Sequence, residues 1–401
     1  MTQAVDRNFA SARSSDNRLI ASISAAHFVS HFYMLVLPPL FLFVRADYNV
    51  SYTELGLAIT VFNVVSAILQ TPAGFLVDRI DARLTLVAGL LIGAAGYAIA
   101  AFVDSFWVLV AMFAVIGVGN TVFHPADYAI LSHRIAPERM SHAFSVHTFA
   151  GILGSAAAPV SVLFMHSLFG WRGAFFGAAI LGVIAAAWVL LQRDANPHPA
   201  AAKPHADAPA DTSWRLLISP PILVSLVFFM LLSFANGGLQ NFSVVALGTL
   251  YGTPPITANT ALTGNLLLSA IGVLVGGWIA GRTSKHGLVA AAGLAGSALA
   301  LILVGYVDPN AFLLIVLMSL GGLFTGAVMP SRDMIVRAVT PPGAFGKVFG
   351  FVTNGFNIAG VVSPLVFGAL MDHGQPRTVF FLIGGCSLLA VLTVISIPRR
   401  R

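Results

Sequence analysis

Long apolar runs separated by short polar stretches fill almost the whole chain. They lie at 19–44, 53–77, 84–103, 106–131, 141–166, 173–191, 221–248, 259–280, 287–306, 311–331, 345–371 and 378–397. A helix that crosses a bilayer needs about 20 mainly apolar residues, and each run meets that length. The runs are too long for barrel strands and lack their strict alternation. Lipid offers no partner to open backbone groups, so helices remain as the only spanning structure. The pattern predicts an all-α membrane protein of twelve transmembrane helices.

The polar stretches between the runs set the organisation. One is longer than a turn: residues 193–215 read RDANPHPAAAKPHADAPADTSWR, rich in Pro, Ala and Asp with no apolar periodicity. Such a composition makes a flexible linker. The predicted layout is a cytoplasmic N-terminal tail (1–18), a six-helix bundle (19–192), a cytoplasmic linker (193–216), a second six-helix bundle (217–397) and a basic C-terminus (398–401). The run after the tail is too long for the apolar part of a cleavable signal, so the first helix is expected to direct its own insertion. Lys and Arg collect in cytoplasmic loops. With the N-terminus inside, 18 of the 21 basic residues fall on the cytoplasmic side, and only Arg45, Arg172 and Arg377 fall outside. Both termini are then cytoplasmic, in a bacterial inner membrane.

Composition narrows the class further. Hydrophobic residues make up 57% and charged residues 9% of the chain, against about 25% charged in an ordinary soluble protein. A water-facing shell cannot be built from so few charges, so lipid must cover most of the surface. The net charge of +6 could suggest nucleic acid, but the basic residues are spread over short loops and none is expected to bind. The single cysteine, Cys386, lies in an apolar run. One thiol excludes an intramolecular disulfide and a Cys-rich metal site, and the expected state is a buried, inert thiol.

A repeat runs through the chain. Pro125, Pro137 and Pro159 recur as Pro330, Pro342 and Pro364, each at an offset of 205; Gly117 and Phe144 recur as Gly322 and Phe349 at the same offset. Gly74 and Arg79 recur as Gly277 and Arg282 at 203. An even number of helices per half gives both halves the same orientation, a parallel repeat about an axis along the membrane normal.

At this point the residues carry a resemblance. GFLVDRIDAR (74–83), between the second and third helices, resembles the loop signature of the major facilitator superfamily. Gly74, Asp78, Arg79 and Arg83 match it, while Asp81 stands where the family usually has Gly. The second copy, GWIAGRTSK (277–285), keeps Gly277 and Arg282 and has Gly281 in the Asp place. HFYMLVLPPLF (31–41), VSYTELGLAIT (50–60), GNTVFHPADYAILS (119–132) and AFSVHTFAGILG (143–154) are similar to the fosmidomycin-resistance branch, whose members are bacterial exporters. In physical terms Gly74 is expected to let helices approach closely. Asp78 could accept from a neighbouring helix N-terminus, and Arg79 and Arg83 would hold the loop on the cytoplasmic side. Latching of an inner gate and topology-setting charge alone both fit this cluster.

Polar residues inside the spans mark a candidate pathway, because each is costly in lipid. They recur at helical spacing: His27 and His31; Asn120, His124 and Asp127; Asn236 and Gln240; Asn354 and Asn357. The superfamily lines its central cavity with helices 1, 4, 7 and 10, and three of these four stripes fall on such helices. A polar bond between helices is the plainer role for any one of them. Asp127 is the only acidic residue well inside the first six spans. A carboxylate at a helix centre costs about 2.5–3.5 kcal/mol on insertion scales. It could carry a proton, or pair with its repeat mate Arg332, beside Asp333, across an inner gate, or pair locally. Histidine titrates near ~6.5 when unperturbed, which makes His31, His124 and His147 the other proton candidates. Gly151, Gly154 and Ala158 on the helix of His147 read as a close-packing face. Pro125 and Pro330 each remove a backbone hydrogen bond and are expected to kink helices 4 and 10.

Two features of proton-coupled drug exporters are missing: FWVLVAMFAVIGVGN (106–120) has no Arg, and Pro159 is flanked by Ala158 and Val160 rather than glycines. Proton antiport is therefore what the branch implies. There is no phosphate-cradling Gly-Lys-Ser loop and no HExxH pattern, so neither an enzyme, a cofactor nor a metal site is expected; His27 and His31 make only half of one. The expectation is a monomeric secondary active exporter of a small drug or polar or anionic metabolite, working by alternating access and driven by protons. An uptake symporter for an organic anion and a non-transporting receptor on the same fold are the alternatives.

Overall fold

The computed structural model describes residues 2–135, 139–192, 214–341 and 345–396. Pro137, Pro342, the linker 193–213 and the C-terminal arginines lie outside the described residues, as does the side chain of Asp78. The described residues are almost wholly helical: α1 (Thr2–Met34), α2 (Phe41–Tyr48), α3 (Tyr52–Arg79), α4 (Ala82–Phe102), α5 (Phe106–Asn120), α6 (Phe123–Arg134) and α7 (Met140–Leu191) in the first part. The second part holds α8 (Pro220–Tyr251), α9 (Pro255–Ala280), α10 (His286–Tyr306), α11 (Ala311–Val339), α12 (Phe345–Asp372) and α13 (Pro376–Ser396).

Among the described residues, eleven stretches are long and apolar enough to cross a membrane. One of them, of 50 residues, would measure about 75 Å at 1.5 Å per residue, more than twice a bilayer core. It breaks at Gly170, whose φ of 70° and ψ of 176° lie outside the helical region. Two spans therefore meet there with almost no loop, and the count becomes twelve.

Other boundaries depart from the sequence pattern for local reasons. The helix expected at 19–44 begins at Thr2 and is interrupted before a 3₁₀ turn at Pro38–Leu40. Two consecutive prolines lack the N–H groups needed to continue it. The helix expected at 106–131 breaks at Thr121–Val122, and Pro125 falls in the first turn of α6. There the Thr121 backbone N–H and hydroxyl both donate to the Val118 carbonyl, at 3.2 and 2.7 Å. These bonds occupy the carbonyl that the Val122 N–H would use in a continued helix, and Pro125 has no N–H for the Thr121 carbonyl. The repeat mate of Thr121 is Gly326, which has no hydroxyl, and α11 runs unbroken through Pro330. Helix 10 is therefore not interrupted as helix 4 is.

Contacts divide the chain into two units: Met1–Val36 with Val61–Pro204, and Leu37–Thr60 with His205–Arg401. In the first unit α7 packs against α1 and α4, and α4 against α5. Tyr97, Phe113 and Phe175 cluster edge-on at the centre, and the Tyr97 hydroxyl donates to the Tyr33 carbonyl. In the second unit α11 packs on α9 and α10, and α8 on α12 and α13. The same unit holds the tip of the first helix pair. The Asp372 carboxylate accepts from the backbone N–H groups of Tyr52 and Thr53 at 2.7 and 2.8 Å, and from the Thr53 hydroxyl at 2.5 Å. A carboxylate here satisfies donors that the first turn of α3 cannot bond internally.

The repeat is visible in the packing. A Cβ on Gly117 would lie 2.8 Å from the Phe62 carbonyl oxygen, and one on Gly322 would overlap the carbonyl oxygen of Asn265. Phe62 and Asn265 are themselves 203 positions apart, so equivalent glycines allow equivalent helix contacts in each half. Large apolar side chains such as Phe102, Phe169, Leu191, Trp278 and Phe312 are exposed, as a lipid-facing surface requires.

Candidate functional site

The loop signature has local structural roles. Asp81, the departure from the family pattern, caps α4 by accepting from the Leu84 N–H at 2.9 Å. Arg83 donates to the carbonyls of Val189, Leu190 and Gln192 at the end of α7. These are acceptors that a helix C-terminus leaves free, at its negative end. Arg79 is exposed. Arg282 lies over the Trp278 ring, 4.3 Å from its centre. Gly74 does not serve close approach: among the described residues, a Cβ there meets nothing within 4 Å, and at Gly277 only Pro330 Cγ at 4.0 Å. The expectation of close approach at Gly74 is thus not met among the described residues.

The polar stripes of the first unit converge. His27 on α1 stacks on His147 of α7, with ring centres 3.8 Å apart and planes within 11°. His31 stands edge-on to His27 at 4.6 Å, and His124 of α6 edge-on at 5.3 Å. One nitrogen each of His27, His124 and His147 fall within 4.8 Å of one another. Asp127, fully buried, presents Oδ2 3.7 Å from His147 Nε2. Asn120 lies one turn before His124, with its amide 3.4 Å from Ser66 Oγ.

Small residues make this convergence possible. A Cβ on Gly151 would lie 2.6 Å from His27 Cε1 and 2.8 Å from its Nδ1; one on Gly154 would overlap the Phe28 carbonyl oxygen. The stripe expected to pack closely does so against α1. Two neighbours escaped the sequence reading. Ser155 Oγ sits 3.2 Å from His31 Nδ1, and the Tyr128 ring lies 5.8 Å from His147 and 6.2 Å from His124. Tyr128 follows His124 by one helical turn, which is a signal that spacing alone could have supplied.

The second unit carries the remaining residues. Asn236 and Gln240 are half-buried on α8. Asn357 on α12 is half-buried and directs its amide at Asn354 Oδ1 from 3.5 Å, while Asn354 is exposed. Arg332 pairs with Asp333 at 2.9 Å. Its guanidinium also covers the Phe229 ring at 4.5 Å and approaches Phe356 at 5.5 Å. Within their own units, the two expected gate partners thus have His147 beside Asp127 and Asp333 beside Arg332.

Two similar six-helix sets of membrane-spanning length, the first with polar side chains gathered in its interior, define a polytopic transport protein. The sequence model of the Major Facilitator Superfamily matches residues 23–246 and 226–401, and the chain belongs to that superfamily: it is a multi-pass membrane transporter of small molecules and not an enzyme. It is 27% identical over 377 residues to the probable sulfoacetate transporter SauU of Cupriavidus necator, covering 86% of this chain and 85% of that one. It is 21% identical to the fosmidomycin resistance protein of Escherichia coli, over 94% of this chain and 92% of the other. Among solved structures, a bacterial homolog of the human lysosomal transporter Spinster superposes with a TM-score of 0.79 at 13% identity, covering 96% of this chain and 99% of that one. The nucleoside transporter NupG does so with 0.77 at 16%, with the same coverage. These likenesses establish the fold.

Proposed function

We propose that the protein is a secondary active exporter of a small polar or anionic solute in the bacterial inner membrane. Proton entry drives it, and its two six-helix bundles (19–192 and 217–397) work by alternating access. The observation that carries the reading is the polar interior of the first unit. Four imidazoles and one buried carboxylate lie where a structural core would place apolar side chains. Intramembrane ionisable groups of this kind mark ion and substrate pathways. The interior is neutral to basic, apart from Asp127, which suits anions better than cationic drugs. Two similar proteins are named for organic anions, sulfoacetate and hexuronate, and another for fosmidomycin resistance.

One charge crossing a 100 mV potential releases about 2.3 kcal/mol, enough for a solute gradient of roughly 50-fold. The linker 193–216 joins the bundles on the cytoplasmic side with both termini, and the monomer is the working unit. The test is collapse of an imposed pH gradient in everted vesicles on adding sulfoacetate, hexuronates or fosmidomycin, with wild type and Asp127→Asn side by side. Solute-triggered proton release in wild type and its loss in the variant are the expected results. An uptake symporter is the second reading, because the sulfoacetate and hexuronate relatives are named as transporters rather than resistance proteins. Proton uptake with solute in cells, and no response in everted vesicles, would replace export with that reading.

A further inference from the structure

The histidine cluster holds more than a polar lining requires. A histidine that merely fills a core has its ring nitrogens hydrogen-bonded, because buried polar atoms without partners are rare and costly. Here five buried atoms lack a hydrogen-bond partner: His27 Nε2, both ring nitrogens of His147, and both carboxylate oxygens of Asp127. They come from three helices.

The protonation pattern of His27 follows from geometry. Its Nδ1 lies 2.8 Å from the backbone carbonyl of His147. A carbonyl only accepts, so Nδ1 carries the hydrogen and donates it. In a neutral imidazole Nε2 is then left with a free lone pair. An imidazole that donates one N–H to a carbonyl and offers the opposite nitrogen is the arrangement seen around metal-ligating histidines, where the carbonyl fixes tautomer and ring orientation.

We infer that His27, His124 and His147 bind a divalent transition-metal ion of the zinc class, with a fourth position left to water or solute. The donor set, three imidazole nitrogens, suits Zn²⁺ and its neighbours Co²⁺, Ni²⁺ and Cu²⁺. It does not suit Mg²⁺ or Ca²⁺, which take oxygen. The three nitrogens lie within 4.8 Å of one another. A tetrahedral ion with bonds of ~2.0–2.1 Å needs them about 3.4 Å apart and close to each ring plane, so binding takes an inward swing of His124 and a turn of the His147 ring out of its parallel stack on His27. His124 is the exposed member, so it has the freedom to swing inward and leaves the cluster open to an arriving ion. His31 stays outside the set, its Nδ1 turned to Ser155. The sequence offered only His27 and His31 as half a site; the fold exchanges His31 for two histidines from other helices. The inference stands apart from the transport reading, because binding is measured on protein that moves nothing.

The test uses the full chain, purified in detergent through a histidine-free tag and stripped with chelator. Co²⁺ serves as the probe, with visible absorption and calorimetry as the readouts. The expected result is one Co²⁺ per chain with the intense visible bands of a tetrahedral nitrogen site, displaced by Zn²⁺ and not by Mg²⁺. His124→Ala and His147→Ala should each weaken binding at least tenfold, while His373→Ala, outside the cluster, should leave it unchanged. Elution of each variant as one monodisperse peak separates lost binding from lost folding. Absence of binding below 100-fold excess of Co²⁺, or binding that survives both cluster substitutions, would overturn the inference and leave the histidines to water or solute. Solute-driven proton movement would be unaffected by that failure.

Discussion

Gly151 offers a sharp test of how the histidine cluster is built. Replacing it with alanine puts a methyl group 2.6 Å from His27 Cε1, 2.8 Å from His27 Nδ1 and 3.1 Å from His31 Cδ2. Contacts that short cannot persist. The His27 ring is tied by its bond to the His147 carbonyl and by stacking at 3.8 Å. If the ring turns away, the bond is lost, at a net cost of about 0.5–1.5 kcal/mol. If the ring holds, α1 and α7 must part, and overpacking of this kind costs about 1–3 kcal/mol. Either route costs about 0.5–3 kcal/mol, against which alanine gains about 0.8–1 kcal/mol over glycine in a helix, so the net effect of Gly151→Ala runs from near neutral to about 2 kcal/mol of destabilisation. Gly385 in α13 is the control, because a Cβ there meets nothing within 4 Å among the described residues. Alanine in place of glycine within a helix gains about 0.8–1 kcal/mol, so Gly385→Ala should stabilise. Thermal unfolding of the purified protein at one fixed scan rate compares the two; the fixed rate matters because such unfolding is often irreversible. A rise in midpoint for Gly151→Ala as large as that for Gly385→Ala would refute the packing argument.

Two further substitutions probe the frame. Asp372→Ala removes the acceptor for Tyr52, Thr53 and its hydroxyl; a loss of about 0.5–2 kcal/mol is expected, read as a lower unfolding midpoint that Asp372→Asn partly restores. Gly170→Ala meets no neighbour but forces a side chain onto φ 70° with ψ 176°. A cost of about 1–3 kcal/mol is expected from backbone strain alone, and an unchanged midpoint would show that the chain re-routes the turn.

The twelve spans were legible because bilayer thickness imposes a length on any apolar helix, whatever its neighbours. The interruptions were less so. Pro125 and Pro330 are identical in sequence spacing, yet only the first sits beside a broken helix, since Thr121 supplies a hydroxyl where Gly326 has none. The polar stripes on α1 and α6 followed from helical period. That His147 would stack on His27 did not, because no period links residues 120 positions apart. The small residues at 151 and 154 were the available trace of that approach. Gly74 shows the converse error: a glycine in a family signature was credited with close packing, and the fold leaves open space around it. Arg83 was read as a loop charge, whereas its acceptors are three carbonyls at the far end of α7, a pairing visible only once both ends share one surface.

The break at Gly170 also bears on how the protein is made. Two spans joined by a single left-handed residue form a hairpin with no slack, so neither can enter the bilayer far ahead of the other. Whichever side the turn reaches, little more than Gly170, Trp171 and Arg172 has to be carried across. Arg172 then meets Asp104 at 2.6 Å and lies over the Trp171 ring. Such a pair should insert as one hairpin, with Asp104, from the preceding helix pair, as the partner that holds the arginine at its tip.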